Sequence, residues 1–200
     1  MRDRLLKCFN GHGPTLANPI QQRSQTKNFL NKTIKPLVAA SVLIPIIDRP
    51  AGLTVLFTQR SQKLRNHPGQ ISFPGGRAEK DDKDVIATAL RESQEEIGLR
   101  PERVNVLGRL GLCLTGTGFE VTPVVGLIEE PLVLNLATNE VTETFEIPLL
   151  LLLDENSYRT DTAVLPSGEK REFYIFDYPH RYIWGATAQM LVNLRKLLES

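Results

Sequence analysis

The strongest constraint on this chain is a helix that must hold three like charges on one face. Residues 84–97 carry Val85, Ile86, Ala89, Leu90 and Ile97 at helical spacing, and this apolar stripe has to be buried. The spacing predicts Asp82 as the N-cap, Asp84 in the first turn and Gly98 just past the end, with Pro101 beyond. On such a helix Glu92, Glu95 and Glu96 stand at i, i+3 and i+4. Like charges at that spacing cost about a few tenths of a kcal/mol per pair. Arg91 can offset part of that charge, and hard divalent cations with oxygen ligands can offset the rest.

The flanking segments indicate what this helix packs against. Leu37–Ile47 and Leu53–Thr58 are rich in Val, Ile and Leu and are separated by 48–52, a strand–turn–strand pattern. Residues 63–77 contain Pro68, Gly69, Pro74, Gly75 and Gly76 and read as loop. Further strands are predicted over 104–110, 121–128 and 173–178. Residues 140–146 run into an apolar stretch, 147–153, whose type stays open. A last helix is predicted over 185–199, with Ala188, Leu191, Leu194, Leu197 and Leu198 inward. Strands on both sides of one central helix, followed by a terminal helix, imply an α+β fold with a mixed sheet.

Residues 1–35 differ in texture. They hold Arg2, Arg4, Lys7, Arg23, Lys27, Lys32 and Lys35 against one acid, Asp3. Leu5, Leu6 and Phe9 can share one face of a short helix ending at Gly11–Gly13. The segment is read as a basic surface arm; a transit peptide is the alternative. Residues 36–200 form the expected single domain.

Bulk properties narrow the class. A net charge of +1 argues against a general nucleic-acid binder. No apolar run approaches the roughly 20 residues needed to cross a bilayer, so no membrane association is expected. Cys8 and Cys113 offer no disulfide framework, which fits a cytoplasmic setting. His12, His67 and His180 are too scattered in sequence to suggest a zinc site.

Taken alone, a cluster of Glu on a helix is most often a solvated face. The segment upstream changes that reading. Ser72-Phe73-Pro74-Gly75-Gly76-Arg77 precedes the helix, and the glycine pair permits close approach of backbone and phosphate. Together, Gly76, Arg91, Glu92, Glu95, Glu96, Gly98 and Leu99 resemble the box of the Nudix hydrolases, G-x5-E-x7-R-E-U-x-E-E-x-G-U. The match departs from the pattern in three places. The interval from Gly76 to Arg91 is one residue longer, Asp82 stands where the first Glu is expected, and Ser93 replaces an aliphatic residue.

A second stretch, Leu56-Phe57-Thr58-Gln59-Arg60-Ser61 followed by Leu64–Gly76, is similar to the signature of the coenzyme A pyrophosphatase branch. That branch also commonly has the longer loop with Asp before the helix. Tyr182-Ile183-Trp184-Gly185-Ala186-Thr187-Ala188 resembles a further segment of the same branch. The resemblance covers about residues 36–195 and implies a Nudix-type α/β/α sandwich. The implied substrate is a small molecule, coenzyme A or a related nucleotide, and the implied cofactor is Mg2+ or Mn2+.

The same resemblance assigns roles. Glu92, Glu95 and Glu96 would hold metal. Arg60, Arg65, Gly75, Gly76 and Arg77 would contact substrate, with Lys63 as a further cation. Arg91 would support the catalytic acids. Glu140 is the expected general base, with Glu95 or Glu143 as substitutes. Oligomeric state is left open, with a homodimer as one option. The alternatives are a Nudix hydrolase of another nucleoside diphosphate derivative, such as ADP-ribose, and a nucleotide-sensing module without chemistry. Such modules tend to lose box acids, and this chain keeps all three on the helix.

Overall fold

The computed structural model describes residues 1–10, 36–164, 168 and 170–199. Two strands at its centre explain the longest apolar runs. β1 (Val38–Arg49) and β7 (Phe119–Glu129) lie parallel and in register from Val38↔Phe119 to Asp48↔Glu129. Along β1, Leu43 and Ile47 belong to one buried cluster while Ile44 and Ile46 belong to another. Both faces of the strand are therefore covered, which is why its sequence is a continuous apolar run rather than an alternation.

The remaining strands assemble around this pair. β2 (Gly52–Arg60) forms an antiparallel hairpin with β1 over Ile46–Arg49. β4 (Gly75–Arg77) pairs with β1 over Ala40–Val42. Pro45 falls in the interval between these partners, where a residue without an N–H is tolerated. β3 (Ile71–Ser72) and β8 (Val141–Pro148) pair with β2, while β5 (Val104–Arg109) and β6 (Cys113–Leu114) pair with β7. The result is an eight-stranded mixed sheet.

A second antiparallel sheet has the order β11-β10-β9, from β9 (Tyr158–Val164), β10 (Lys170–Tyr178) and β11 (Arg181–Trp184). β9 and β11 were not expected. Six of the seven residues of β9 are exposed, so the strand carries no burial alternation. The open stretch 147–153 ends β8 at Pro148 and then makes one helical turn, α3 (Leu149–Leu152).

The long helices sit on opposite sides of the large sheet. α2 (Val85–Ile97) places Ala89 and Ile97 against Leu43, Ile47 and Leu56. α4 (Gly185–Glu199) buries Ala188, Leu191, Leu194 and Leu198 as expected, with Leu197 half-buried, in the cluster containing Phe57 and Phe176. The expected mixed α+β sandwich is the observed architecture. No helix among the described residues is long and apolar enough to cross a membrane.

Two expectations need correction. The N-cap of α2 is Asp84, not Asp82: its backbone is extended, and its carboxylate accepts from the N–H groups of Ile86 and Ala87, both at 2.8 Å. The first ten residues are also not simply a surface arm. α1 (Arg2–Asn10) buries Leu5 completely and Phe9 almost so, within the α4-side core. Arg2 pairs with Asp48 and Glu129, and Arg4 Nε donates to the Leu198 carbonyl at 2.6 Å. The remainder of the predicted arm, 11–35, lies outside the described residues.

This docking predicts a stability effect. Leu5→Ala should lower unfolding free energy by about 2–5 kcal/mol, the cost of deleting a fully buried leucine. A urea midpoint within error of wild type would show that α1 contributes no packing.

Candidate functional site

Three chain segments meet at the acidic helix, and close packing is what brings them there. Gly75 lies against β1, where a Cβ would stand 2.4 Å from the Ser41 carbonyl oxygen and 2.5 Å from Val42 Cα. At Gly76 a Cβ would stand 2.4 Å from the Glu92 carboxyl carbon. The glycine pair thus allows the 75–76 backbone to lie directly on the α2 carboxylates. The Gly75 N–H donates to Glu96 Oε2 at 3.1 Å.

Asp82, released from the capping role expected of it, anchors Arg91. Its Oδ1 accepts from Arg91 Nε at 2.9 Å, and its Oδ2 from Arg91 Nη2 at 3.0 Å, a bidentate pair. Thr88 Oγ and the Glu79 N–H, both at 2.9 Å, complete its shell. The Arg91 bonds hold the Asp82 carboxyl well below the usual carboxylate range. Arg91 also donates to the Arg77 carbonyl, to Glu92 at 2.9 Å and to Glu95 at 3.0 Å. Ser93, the other departure from the pattern, is fully buried and satisfied by donating to the Ala89 carbonyl at 2.7 Å.

The three helix acids have different environments. Glu95 is largely exposed and paired with Arg91. Glu92 is half-buried, and burial raises its pKa despite Arg91. Glu96 is almost fully buried, and burial pushes its pKa up to about 7 against the Gly75 N–H and Arg60. Arg60 Nη1 stands 3.8 Å from Glu96 Oε1, at the outer limit of an ion pair.

Glu140 also acts on this cluster, since its charge helps to raise both Glu92 and Glu96. Backbone bonds hold its loop there. Asn135 N–H donates to the Ile97 carbonyl and Ala137 N–H to that of Glu96, both at 2.9 Å, and Ser61 N–H donates to the Glu140 carbonyl at 2.8 Å. At the helix end, Gly98 has φ 69° and a Cβ there would meet Asn135 N at 2.9 Å, so Gly is required.

Among the described residues no three His, Cys, Asp or Glu side chains form a ready-made metal cage. The donor chemistry nevertheless fits a hard cation. Glu92 and Glu96 are desolvated carboxylates with raised pKa values, and Glu140 is an exposed carboxylate acting on both. Such a group of oxygens is short of positive charge, which a divalent ion supplies.

Other expected site residues lie further out. Arg65 and Lys63 are exposed on the loop before β3. Arg77 is exposed, with its guanidinium 5.3 Å from the Phe119 ring centroid. Glu143, the reserve base, is committed elsewhere: Arg181 forms a short bidentate pair with it and lowers its pKa. Arg181 also donates to Gln59 Oε1 at 2.9 Å and stacks over Phe145. Phe73 is core, stacked on Phe57.

On the opposite face of the sheet, residues 67–71 and the β11 segment His180, Tyr182 and Trp184 line a cleft of about 390 Å3 together with Gln59. His67 and His180, remote in sequence, thus share one wall system. His67 holds its loop through the main chain: its backbone carbonyl accepts from the Gln70 N–H at 3.3 Å.

Residues 37–158 match the model of the NUDIX domain. The chain belongs to the Nudix family. It is 41% identical over 160 residues to the Nudix hydrolase NudL of Photorhabdus laumondii, covering 80% of this chain and 84% of that protein. NudL of Pectobacterium atrosepticum is 44% identical over 158 residues, with 78% and 80% covered. A MutT/nudix family protein from Enterococcus faecalis superposes with a TM-score of 0.54 at 14% identity, covering 93% of this chain and 76% of that one. A NUDIX hydrolase from Alicyclobacillus acidocaldarius gives 0.50 at 20% identity, with 82% and 93% covered. The two structural likenesses concern the fold.

The Asp82–Arg91 pair of this Nudix domain has a testable pH signature. A carboxylate whose folded pKa is depressed contributes stability above its unfolded value, about 3.9 for Asp. That contribution is lost as pH falls through the folded value. Asp82→Asn should therefore be less stable than wild type at pH 7, with the gap closing toward pH 2. Urea midpoints across that range measure it, and a gap independent of pH would show that ionisation of Asp82 contributes nothing to stability.

Proposed function

We propose that this Nudix hydrolase cleaves the diphosphate bond of coenzyme A, yielding 3′,5′-ADP and 4′-phosphopantetheine with Mg2+ or Mn2+ as cofactor. The observation that carries the reading is the 56–76 stretch, whose resemblance to the coenzyme A pyrophosphatase signature ends on the Gly75–Gly76 turn packed against Glu92 and Glu96. Glu92, Glu95 and Glu96 are the proposed metal ligands. A bound divalent cation supplies neutralisation of the diphosphate and a lowered pKa for attacking water.

The side chains have separate tasks. Glu92 and Glu96 present desolvated oxygens that would hold the cation, and Glu95, paired with Arg91, would be the third ligand. Arg91, tied to Asp82, keeps Glu92 in place. Arg60 reaches the acid cluster from the end of β2, and its guanidinium is suited to a bridging phosphate. Arg65 and Arg77 are exposed cations for the remaining phosphates, the 3′-phosphate included. Glu140, close enough to perturb Glu92 and Glu96, is the proposed general base that takes the proton from water. Glu95 is the substitute. The setting proposed is the cytoplasm.

Carboxylate variants separate the roles. Glu96→Gln is nearly isosteric and should reduce turnover at least about a hundredfold. Glu140→Gln should lower kcat strongly while leaving the metal requirement unchanged; if Glu140 is instead a ligand, that requirement rises and Mn2+ partly restores the rate. Near wild-type turnover of Glu96→Gln in saturating Mg2+ would remove the metal assignment.

Substrate choice is read from products. Coenzyme A should be cut with much higher kcat/KM than dephospho-coenzyme A, because cations left without the 3′-phosphate penalise the analogue. Arg65→Ala should narrow the difference. Equal efficiency on both, or preference for ADP-ribose, would replace coenzyme A with another nucleoside diphosphate derivative.

A further inference from the structure

The cleft on the α4 side of the sheet is built from two segments far apart in the chain, and neither is used by the acid cluster. Among the described residues, the nine that line it include no Asp, Glu, Lys or Arg. A phosphate would find no permanent cation among them. The volume, about 390 Å3, lies in the range of small-molecule sites. Two large rings, Tyr182 at 47% and Trp184 at 38% exposure, stand on β11, with the Arg159 guanidinium 6.0 Å from the Tyr182 ring centroid. Trp184 is braced from one side by Phe173, with ring centroids 5.7 Å apart.

The backbone of the cleft is also unusual. Among the described residues, His67 at φ 54° and His180 at φ 61° are the two non-glycine residues with positive φ, and both line this cleft. His180 follows Pro179 in the two-residue turn joining Tyr178 to Arg181, at a position that normally selects Gly or Asn. Both histidines hold a larger side chain in a conformation that ordinarily favours glycine, and both do so at this one cleft.

Position relates the cleft to the acids. Gln59 lines the cleft, whereas Arg60, the next residue, reaches Glu96. Consecutive strand side chains point to opposite faces, so the end of β2 serves both sites. The loop is clamped there: Arg60 N–H donates to the Gln70 carbonyl at 3.0 Å, and Gly69 N–H to that of Arg60 at 3.1 Å. Gln59 is itself held by Arg181 and donates to the Gly69 carbonyl at 3.4 Å.

We propose that this cleft binds the purine base of the nucleotide substrate, with Trp184 and Tyr182 as stacking surfaces and the Gln70 side-chain amide reading the edge of the base. An uncharged, flat, π-bearing group suits exposed aromatic rings in a cleft whose described lining includes no Asp, Glu, Lys or Arg. A carboxamide offers the paired donor and acceptor that an adenine edge matches. The proposal rests on the reading of the chain as a hydrolase of a nucleoside diphosphate derivative, but not on coenzyme A, because adenine is common to coenzyme A and ADP-ribose.

Trp184 is the single tryptophan of the chain, so its emission reports on this cleft alone. The full chain is titrated with AMP and, separately, with ribose 5-phosphate, which keeps the sugar and phosphate but lacks the base. AMP should quench emission saturably and ribose 5-phosphate should not. Gln70→Ala and Tyr182→Ala, each checked for an unchanged melting temperature, should weaken AMP binding about tenfold and raise KM more than they lower kcat. Absence of quenching by AMP, or equal quenching by both ligands, overturns the proposal. Cleavage of coenzyme A without AMP quenching removes the base site and leaves the proposed reaction. AMP quenching without coenzyme A cleavage does the reverse.

Discussion

The arrangement of the acidic helix depends on one guanidinium. Arg91 spends Nε and Nη2 on Asp82, shares Nη2 with the Arg77 carbonyl, and turns Nη1 to Glu92 and Glu95. It thereby ties the loop before α2, the end of β4 and the helix itself to a single charged plane. A lysine could not do this, because a point charge lacks the rigid fork of donors that satisfies the Asp82 carboxylate bidentately. The like-charge cost of spacing acids at i, i+3 and i+4 is met for two of them. Glu96 is left with one backbone N–H and a distant Arg60.

That asymmetry follows from sterics at the glycine pair. Because Gly75 and Gly76 lack side chains, the 75–76 backbone displaces water from Glu92 and Glu96 instead of being held away from them. Burial then raises both carboxyl groups, most of all Glu96. The same contact that builds the turn leaves Glu96 short of positive charge, the condition in which a hard cation is bound most readily. Fold and site are here one packing problem rather than two.

Much of this was legible because it is periodic or local. The apolar faces of α2 and α4, the β1–β2 hairpin and the Gly98 cap follow from spacing and from backbone preferences of single residues. The errors arose where chemistry alone was ambiguous. Asp82 and Asp84 are both competent caps, and only the bidentate demand of Arg91, nine positions on, withdraws Asp82 from that role. Leu5 and Phe9 form too short a stripe to announce a docked helix amid basic residues, yet Leu5 is fully buried. Glu143 resembled a free acid because its partner, Arg181, lies on a strand that sequence did not reveal. His67 and His180 looked unrelated because a strand pair, not a spacing rule, brings them together.

The alternation of a strand gives the candidate site its two-sided form. At the end of β2, Arg60 turns toward the acids and Gln59 toward the uncharged aromatic cleft. A one-residue shift in the register of β2 would exchange these faces and place a cation in the neutral cleft. Register here is set by partners on both edges: β8 pairs along Thr54–Arg60, and β3 pairs at Thr58 and Gln59. The irregularity in the β2–β8 ladder between Gln59 and Arg60 marks where regular pairing gives way to the loop clamped by Gln70 and Gly69. Strand pairing there does more than stabilise the sheet: it keeps the Arg60 guanidinium and the Gln59 amide on opposite faces, the separation that the proposed phosphate and base contacts require.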